Sequence, residues 1–242
     1  MPIRAGSSST KATGCNVDTL GNVYVVGRVT SDYPDSLSTN GAHQETKGIG
    51  PDAFIMKLDS TGNRVWGTYF GGASTDAAYG SALDGLGNVY ITGRISHDSS
   101  FYSPGAHQGP VNVNAGTSAY LAKFSPSGSL LWSTFYGSGG IGLGIDTDSH
   151  ENVFLTGQTQ STVGIASPGA YQTSYSGSAG NPAFGDGFLV KFDSSGTRLW
   201  GTYFGGPGAE SSWKCSVDTS DNIYITGETF STSGISTPGA YQ

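Results

Sequence analysis

The stretch GNVYITG, Gly87 to Gly93, decides the fold, because the chain repeats it four times. GNVYVVG runs from Gly21 to Gly27, ENVFLTG from Glu151 to Gly157, and DNIYITG from Asp221 to Gly227. The spacing is roughly 66 residues, the mark of a repeat architecture. Each copy is a short run of β-branched and aromatic residues, apolar on both sides of the two-residue alternation and closed by glycine. Such a run reads as a strand covered on both faces.

Two further pieces recur in order. RVWGTYFGG around Trp66, LLWSTFYGS around Trp132 and RLWGTYFGG around Trp200 form one set. NGAHQ at Gly41, SPGAHQ at Gly105, SPGAYQ at Gly169 and TPGAYQ at Gly239 form the other. Each unit then reads as four strands, a to d. Strand a is Gly80 to Leu83 in the second unit, and strand b is Asn88 to Ile95. Strand c is Asp52 to Leu58 in the first unit, and strand d is Arg64 to Phe70. Asp-x-x-Gly-Asn turns join a to b and c to d, where Asp bonds its own backbone and Gly supplies a positive φ. The long b–c loop, Ser96 to Thr117 in the second unit, carries the Pro-Gly-Ala piece. In strand c, Phe54, Met56 and Leu58 share one side, and Ile55 lies opposite beside a lysine repeated at Lys57, Lys123 and Lys191. Sheets that are apolar on both faces stack radially in a β-propeller. The expectation is an all-β, propeller-type array of four-stranded antiparallel blades, in one domain over 1–242. Its units are approximately 5–70, 71–136, 137–204 and a half unit 205–242.

Composition agrees and sets limits. Glycine is 39 of 242 residues, aromatics are 12% and charged residues only 12%, with a formal net charge of −7. Coiled coil, collagen and charged disorder are excluded. No basic run exists, so nucleic acid is not an expected partner. No apolar run approaches the length of a membrane span. The opening MPIRAGSSSTKATG has no apolar h-region and is not read as a signal peptide.

The ordered set D-x-x-G-N-V-Y-I-T-G, S-P-G-A-x-Q, D-A-F-x-x-K-L-D and G-x-x-x-W-x-T-Y-F-G-G resembles the SBBP-type β-propeller repeat of bacterial and archaeal surface proteins. The resemblance covers nearly the whole chain and implies an exported, extracellular or cell-surface propeller with no established catalytic site. Ser118 departs from it where Asp52 and Asp186 stand, and the third a–b turn, Asp146 to Asn152, is read as two residues longer than its siblings.

The strands run ab, cd, ab, cd, ab, cd, ab, or 3.5 blades, whereas propellers close with about four to eight. Three completions are open: a longer propeller, an oligomer or filament, or irregular structure. A bare strand recruits other strands, so the edge Ile223, Tyr224, Ile225, Thr226 and Glu228 is a candidate for self-assembly. Candidate glycan-binding aromatics in the loops are Phe101, Tyr102, Tyr171 and Tyr175. Asp146, Asp148 and Glu151 form the most acidic loop and are the candidate Ca²⁺ ligands, although the glycine and distant glutamate of an EF-hand are missing. Gly137 to Gly142 fits G-x-G-x-x-G, but a dinucleotide site needs a helix after it. His43 and His107 stand where Tyr171 and Tyr241 occur, a position read as packing; His97 and His150 have no catalytic partner motif. Cys15 and Cys215 are read as buried free thiols, with an intermolecular disulfide as the alternative. The expected function is a non-enzymatic structural or adhesive module that assembles with itself or with other surface proteins. The alternative is a carbohydrate-binding module using the b–c loops.

Overall fold

In the computed structural model, which describes residues 10–30, 37–96, 101–109, 116–177 and 185–241, every regular element is a strand. Blade 1 is β1 (Thr10–Val17), β2 (Val23–Val29), β3 (Asp52–Leu58) and β4 (Arg64–Phe70). Blade 2 is β5 (Ala77–Leu83), β6 (Val89–Ser96), β7 (Thr117–Phe124) and β8 (Leu130–Tyr136). Blade 3 is β9 (Ile141–Thr147), β10 (Val153–Thr159), β11 (Asp186–Phe192) and β12 (Arg198–Phe204). A half blade follows, β13 (Glu210–Val217) and β14 (Ile223–Thr229). Each full blade is an antiparallel meander, and the four sheets form an open array.

Strands c and d begin and end where the sequence places them. Strand a is longer: β5 starts at Ala77, not Gly80. The cause is a β-bulge that breaks the two-residue alternation. One extra residue sits in each a strand, at Thr13, Tyr79, Leu143 and Trp213. Across from it lies the final glycine of the strand b motif. A Cβ on Gly93 would stand 1.9 Å from the Ala77 carbonyl oxygen, and Gly27, Gly157 and Gly227 meet the same obstacle. The motif ends in glycine because the bulged neighbour fills that space. A second bulge recurs in strand d, where Val65, Leu131 and Leu199 are pushed out to solvent. These exposed apolar side chains are therefore products of the bulge.

The cores lie between blades. Tyr24, Ile55, Trp66 and Phe70 of blade 1 pack on Val89, Ile91, Tyr120 and Phe124 of blade 2. Tyr90, Leu121 and Tyr136 pack on Val153, Leu155 and Phe188 in the same way. The a strands adjoin one another: Thr13 Oγ1 donates to Ala78 O at 2.7 Å, Thr147 Oγ1 to Leu83 O at 2.8 Å, and Val217 N to Asp146 Oδ2 at 2.8 Å. Gly137 to Gly142 forms the crossing from β8 into strand β9, so the helix a dinucleotide site needs is absent from it.

Candidate functional site: the open joint of the half blade

Blade-to-blade joints are built from a small set of contacts that repeat. Trp66 Nε1 donates to Pro126 O at 2.9 Å, and Trp132 Nε1 to Ser194 O at 3.1 Å. In both cases the acceptor belongs to the c–d turn of the next blade. The turn glycines Gly128 and Gly196 rest on the indoles so closely that a Cβ would lie 2.8 and 3.0 Å from the ring. Lys57 and Lys123 reach the same carbonyls at 3.5 and 3.3 Å. His43 lies between Phe70 and Phe124, at ring distances of 6.1 and 5.8 Å, and His107 lies between Tyr136 and Phe192, at 6.0 and 5.6 Å. The packing role of this position holds. Burial lowers the pKa of both imidazoles, His107 to about 4.

Blade 3 presents the same parts, and none of the described residues receives them. Trp200 lies against Phe154 at 6.1 Å, and no c–d turn follows it among the described residues. Tyr171 stacks on Phe204 at 6.3 Å but lacks the second ring that covers His43 and His107, and it is 68% exposed. Among the described residues, strand β14 pairs only with β13. Tyr224 on it is 58% exposed, while its counterparts Tyr24 and Tyr90 are wholly buried. Ile223 and Ile225 pack inward beside Cys215, Phe154 and Leu189. A groove of about 130 Å³ runs along the half blade past Phe204, Ile225 and Glu228, small beside the ~300 Å³ of an ordinary ligand pocket.

The acidic loop is arranged differently from the expectation. Asp146 accepts from Thr147 N and Val217 N, and Glu151 from Gly85 N at 3.1 Å. Asp148 accepts from His150 N and Asn152 N and pairs with Lys191 Nζ at 2.9 Å. The three carboxylates thus serve three different neighbours. Burial alone would raise the Asp148 pKa, but the hydrogen bonds from Lys191 and Asn152 overcome it and hold it at about 2. The structure brings Asp148, His150 and Asp221 together instead, with candidate ligand atoms within 4.8 Å of one another. His150 Nδ1 is 3.1 Å from both Asp221 Oδ2 and Ser149 Oγ. Hydroxyl and carboxylate meet the same ring nitrogen, so no catalytic relay is formed. Glu151 and Asp221 occupy the turn position held by Gly21 and Gly87, at φ of 64° and 61°. Their side chains tie successive a–b turns together. Sequence reasoning missed Asp221; the missing glycine in two aligned turns was the available signal.

Phe101 is corrected as a glycan candidate. It is buried against Phe70 at 5.3 Å, inside the core between blades 1 and 2. Tyr175 is half-buried, edge-on to Tyr203 at 6.2 Å. Tyr102 keeps an exposed ring. His97 lies outside the described residues.

The thiols also differ from the expectation. Cys215 is buried against blade 3, and burial pushes its thiol up to about 12, whereas Cys15 is exposed. Thiol labelling of the native protein should modify Cys15 within minutes and Cys215 only after unfolding. Equal labelling rates would refute this burial difference.

Residues 65–99 match the family model described as SBBP, beta-propeller repeat. That segment runs through β4, β5 and β6, and so spans a joint between blades. The chain is also 24% identical over 163 residues to an uncharacterised WD repeat-containing protein of Acanthamoeba polyphaga mimivirus, covering 58% of this chain and 12% of that protein. The open array of antiparallel four-stranded sheets and the match at residues 65–99 agree that the chain is built from β-propeller repeats.

Proposed function

We propose that this chain is a non-catalytic structural module of an extracellular or surface-attached protein, and that it assembles by accepting a c–d hairpin of its own repeat type onto β14. The observation that carries this reading is the joint itself. Trp200, Lys191 and Tyr171 occupy the places of residues that twice clamp a following c–d hairpin within the chain. Beside them, β14 offers an unpaired edge that continues the β13–β14 sheet. The hairpin comes from a neighbouring surface protein, or from a copy of the chain that exchanges one of its own, since β3–β4, β7–β8 and β11–β12 are each already paired within their blades.

A peptide with the sequence of residues 52–70, with phenylalanine in place of Trp66, tests the joint. It should bind with one-to-one stoichiometry and change the fluorescence of Trp200. Light scattering should show mass rising with concentration, and Tyr224→Lys, placed on the free edge, should weaken both effects at least tenfold. A monomer at every concentration that ignores the peptide would refute the reading. Carbohydrate binding is the second reading, supported by the exposed rings of Tyr102 and Tyr171. It requires saturable glycan affinity that Tyr171→Ala abolishes with the fold intact.

A further inference from the structure

Two pairs of buried acids bridge blade joints. Asp52 opens β3 and Asp76 precedes β5; Asp186 opens β11 and Glu210 opens β13. All four are at most 2% exposed. At the joint between blades 2 and 3, the strand register puts Ser118 and Gly140 in the equivalent places. Acids are thus present together at two joints and absent together at the third. Two positions on different blades change as a unit, which indicates that the carboxyl groups act on each other.

Their geometry agrees. A Cβ on Gly205 would lie 2.5 Å from Glu210 Oε2 and 2.9 Å from Asp186 Cγ, so both carboxyls converge on that glycine. At the first joint a Cβ on Gly71 would lie 2.3 Å from Asp52 Cγ, and Gly72 N donates to Asp76 Oδ2 at 2.7 Å. Asp52 Oδ1 and Asp186 Oδ1 are enclosed and have no hydrogen-bond partner among the described residues. The second oxygen of each Asp accepts from a glutamine Nε2 and a backbone N–H: Gln44 and Gly48 for Asp52, Gln172 and Ser176 for Asp186. Asp76 also accepts from Ser96 N, and Glu210 from Gly206 N and the hydroxyls of Thr229 and Ser231. Each of these partners is a donor, whereas Ca²⁺ is held by six to eight oxygens. An orphan carboxylate oxygen beside a second buried carboxylate is satisfied by a proton.

We propose that the pairs Asp52–Asp76 and Asp186–Glu210 each hold one proton between their carboxyl groups. The proton locks blade 1 to blade 2 and blade 3 to the half blade in acid. Both locks loosen as the pH rises, and the joint between blades 2 and 3 carries no such acid pair.

Other titratable groups face the pairs. Lys47, held by the Gly48 and Gly50 carbonyls, lies near Asp52, and Tyr120 lies near Asp76 and Tyr79. Tyr203, in contact with Tyr175, lies near Asp186. Burial pushes Asp52 and Asp186 up to about 6; backbone N–H bonds from Gly48 and Ser176 oppose this, and the partner acid adds to it. The folded protein therefore binds more protons than the unfolded chain between the ordinary aspartate value of 3.8 and about 6. The stabilisation is complete below that window and lost above it.

Thermal and urea unfolding from about pH 4.5 to about pH 7.5, with carboxyl ¹³C NMR of the unaltered protein, tests the proposal. The folding equilibrium should fall by up to ~100-fold per pair across the window. Asp186→Asn, or Asp186→Ser with Glu210→Gly to copy the middle joint, should remove about half of that dependence on a logarithmic scale. One carboxyl of each pair should titrate near pH 6 by NMR, a readout that does not depend on a variant folding. His43 and His107, whose pKa burial lowers, push the wild-type curve the other way across the same window, so the variants are compared with the wild type: an Asp186→Asn protein with unchanged pH dependence, or no carboxyl titrating above about pH 5, overturns the proposal. So does a saturable gain of stability with calcium or sodium that Asp186→Asn removes.

Discussion

Replacing Lys123 by alanine is expected to cost about 3–5 kcal/mol, because it leaves a buried charge without its partner. Lys123 Nζ lies 3.2 Å from Asp84 Oδ2, with the two side chains 7% and 0% exposed. It also sits 4.8 Å from the Tyr90 ring centre and donates to Ser194 O of the next blade. The loss therefore reaches strand c, the a–b turn and the joint together. Lys57→Ala is the internal control. Its partner Asp18 is 3.9 Å away and both groups touch water, so the cost should be about 1 kcal/mol or less. Urea denaturation of the two variants distinguishes them. Equal losses would refute the view that the Lys123–Asp84 pair is a buried structural element.

Gly93→Ala is the second large effect. The new methyl would stand 1.9 Å from Ala77 O and 2.9 Å from the Ala77 carbonyl carbon, both backbone atoms that cannot rotate away. Relief requires opening the bulge at Tyr79, which sets how β5 meets β6. The expected cost is about 3–4 kcal/mol, at the upper end for overpacking. Gly105→Ala makes the comparison. That glycine has φ of 81° and nothing near its Cβ position, so only the left-handed backbone penalty applies, about 1 kcal/mol. Melting temperatures of the pair should differ by several degrees. A Gly93→Ala protein as stable as Gly105→Ala would show that the bulge does not fill this space.

Much of the fold was legible because the chain states each element several times. The limits of β3 and β4 follow from the apolar alternation alone. The start of β5 does not, because an extra residue at Tyr79 inverts the pattern. Side-chain placement was legible only where it depends on a residue's own blade. His43, His107 and Tyr171 share one motif position, yet Tyr171 is exposed since exposure there depends on the next blade's strand c. Phe101 was read as a loop ring, but the joint between blades swallows it. Asp146, Asp148 and Glu151 are neighbours in sequence and diverge in space, whereas His150 and Asp221 are far apart in sequence and touch.

The clamping contacts run in one direction along the array. Trp66, Lys57 and His43 give to the blade after them, and Trp132, Lys123 and His107 do the same one step on. An array joined in this way has polarity, as a filament with a barbed and a pointed end has. Blade 3 offers a socket, while blade 1 offers the turn around Gly62, whose Cβ position meets nothing. A unit inserted by duplication would bring a socket for its successor and a plug for its predecessor, so the number of blades can change without redesigning any joint. The acid pairs restrict this freedom, because each is shared by two blades. They are inherited intact only when the cut falls inside a blade, which makes the joint the portable piece.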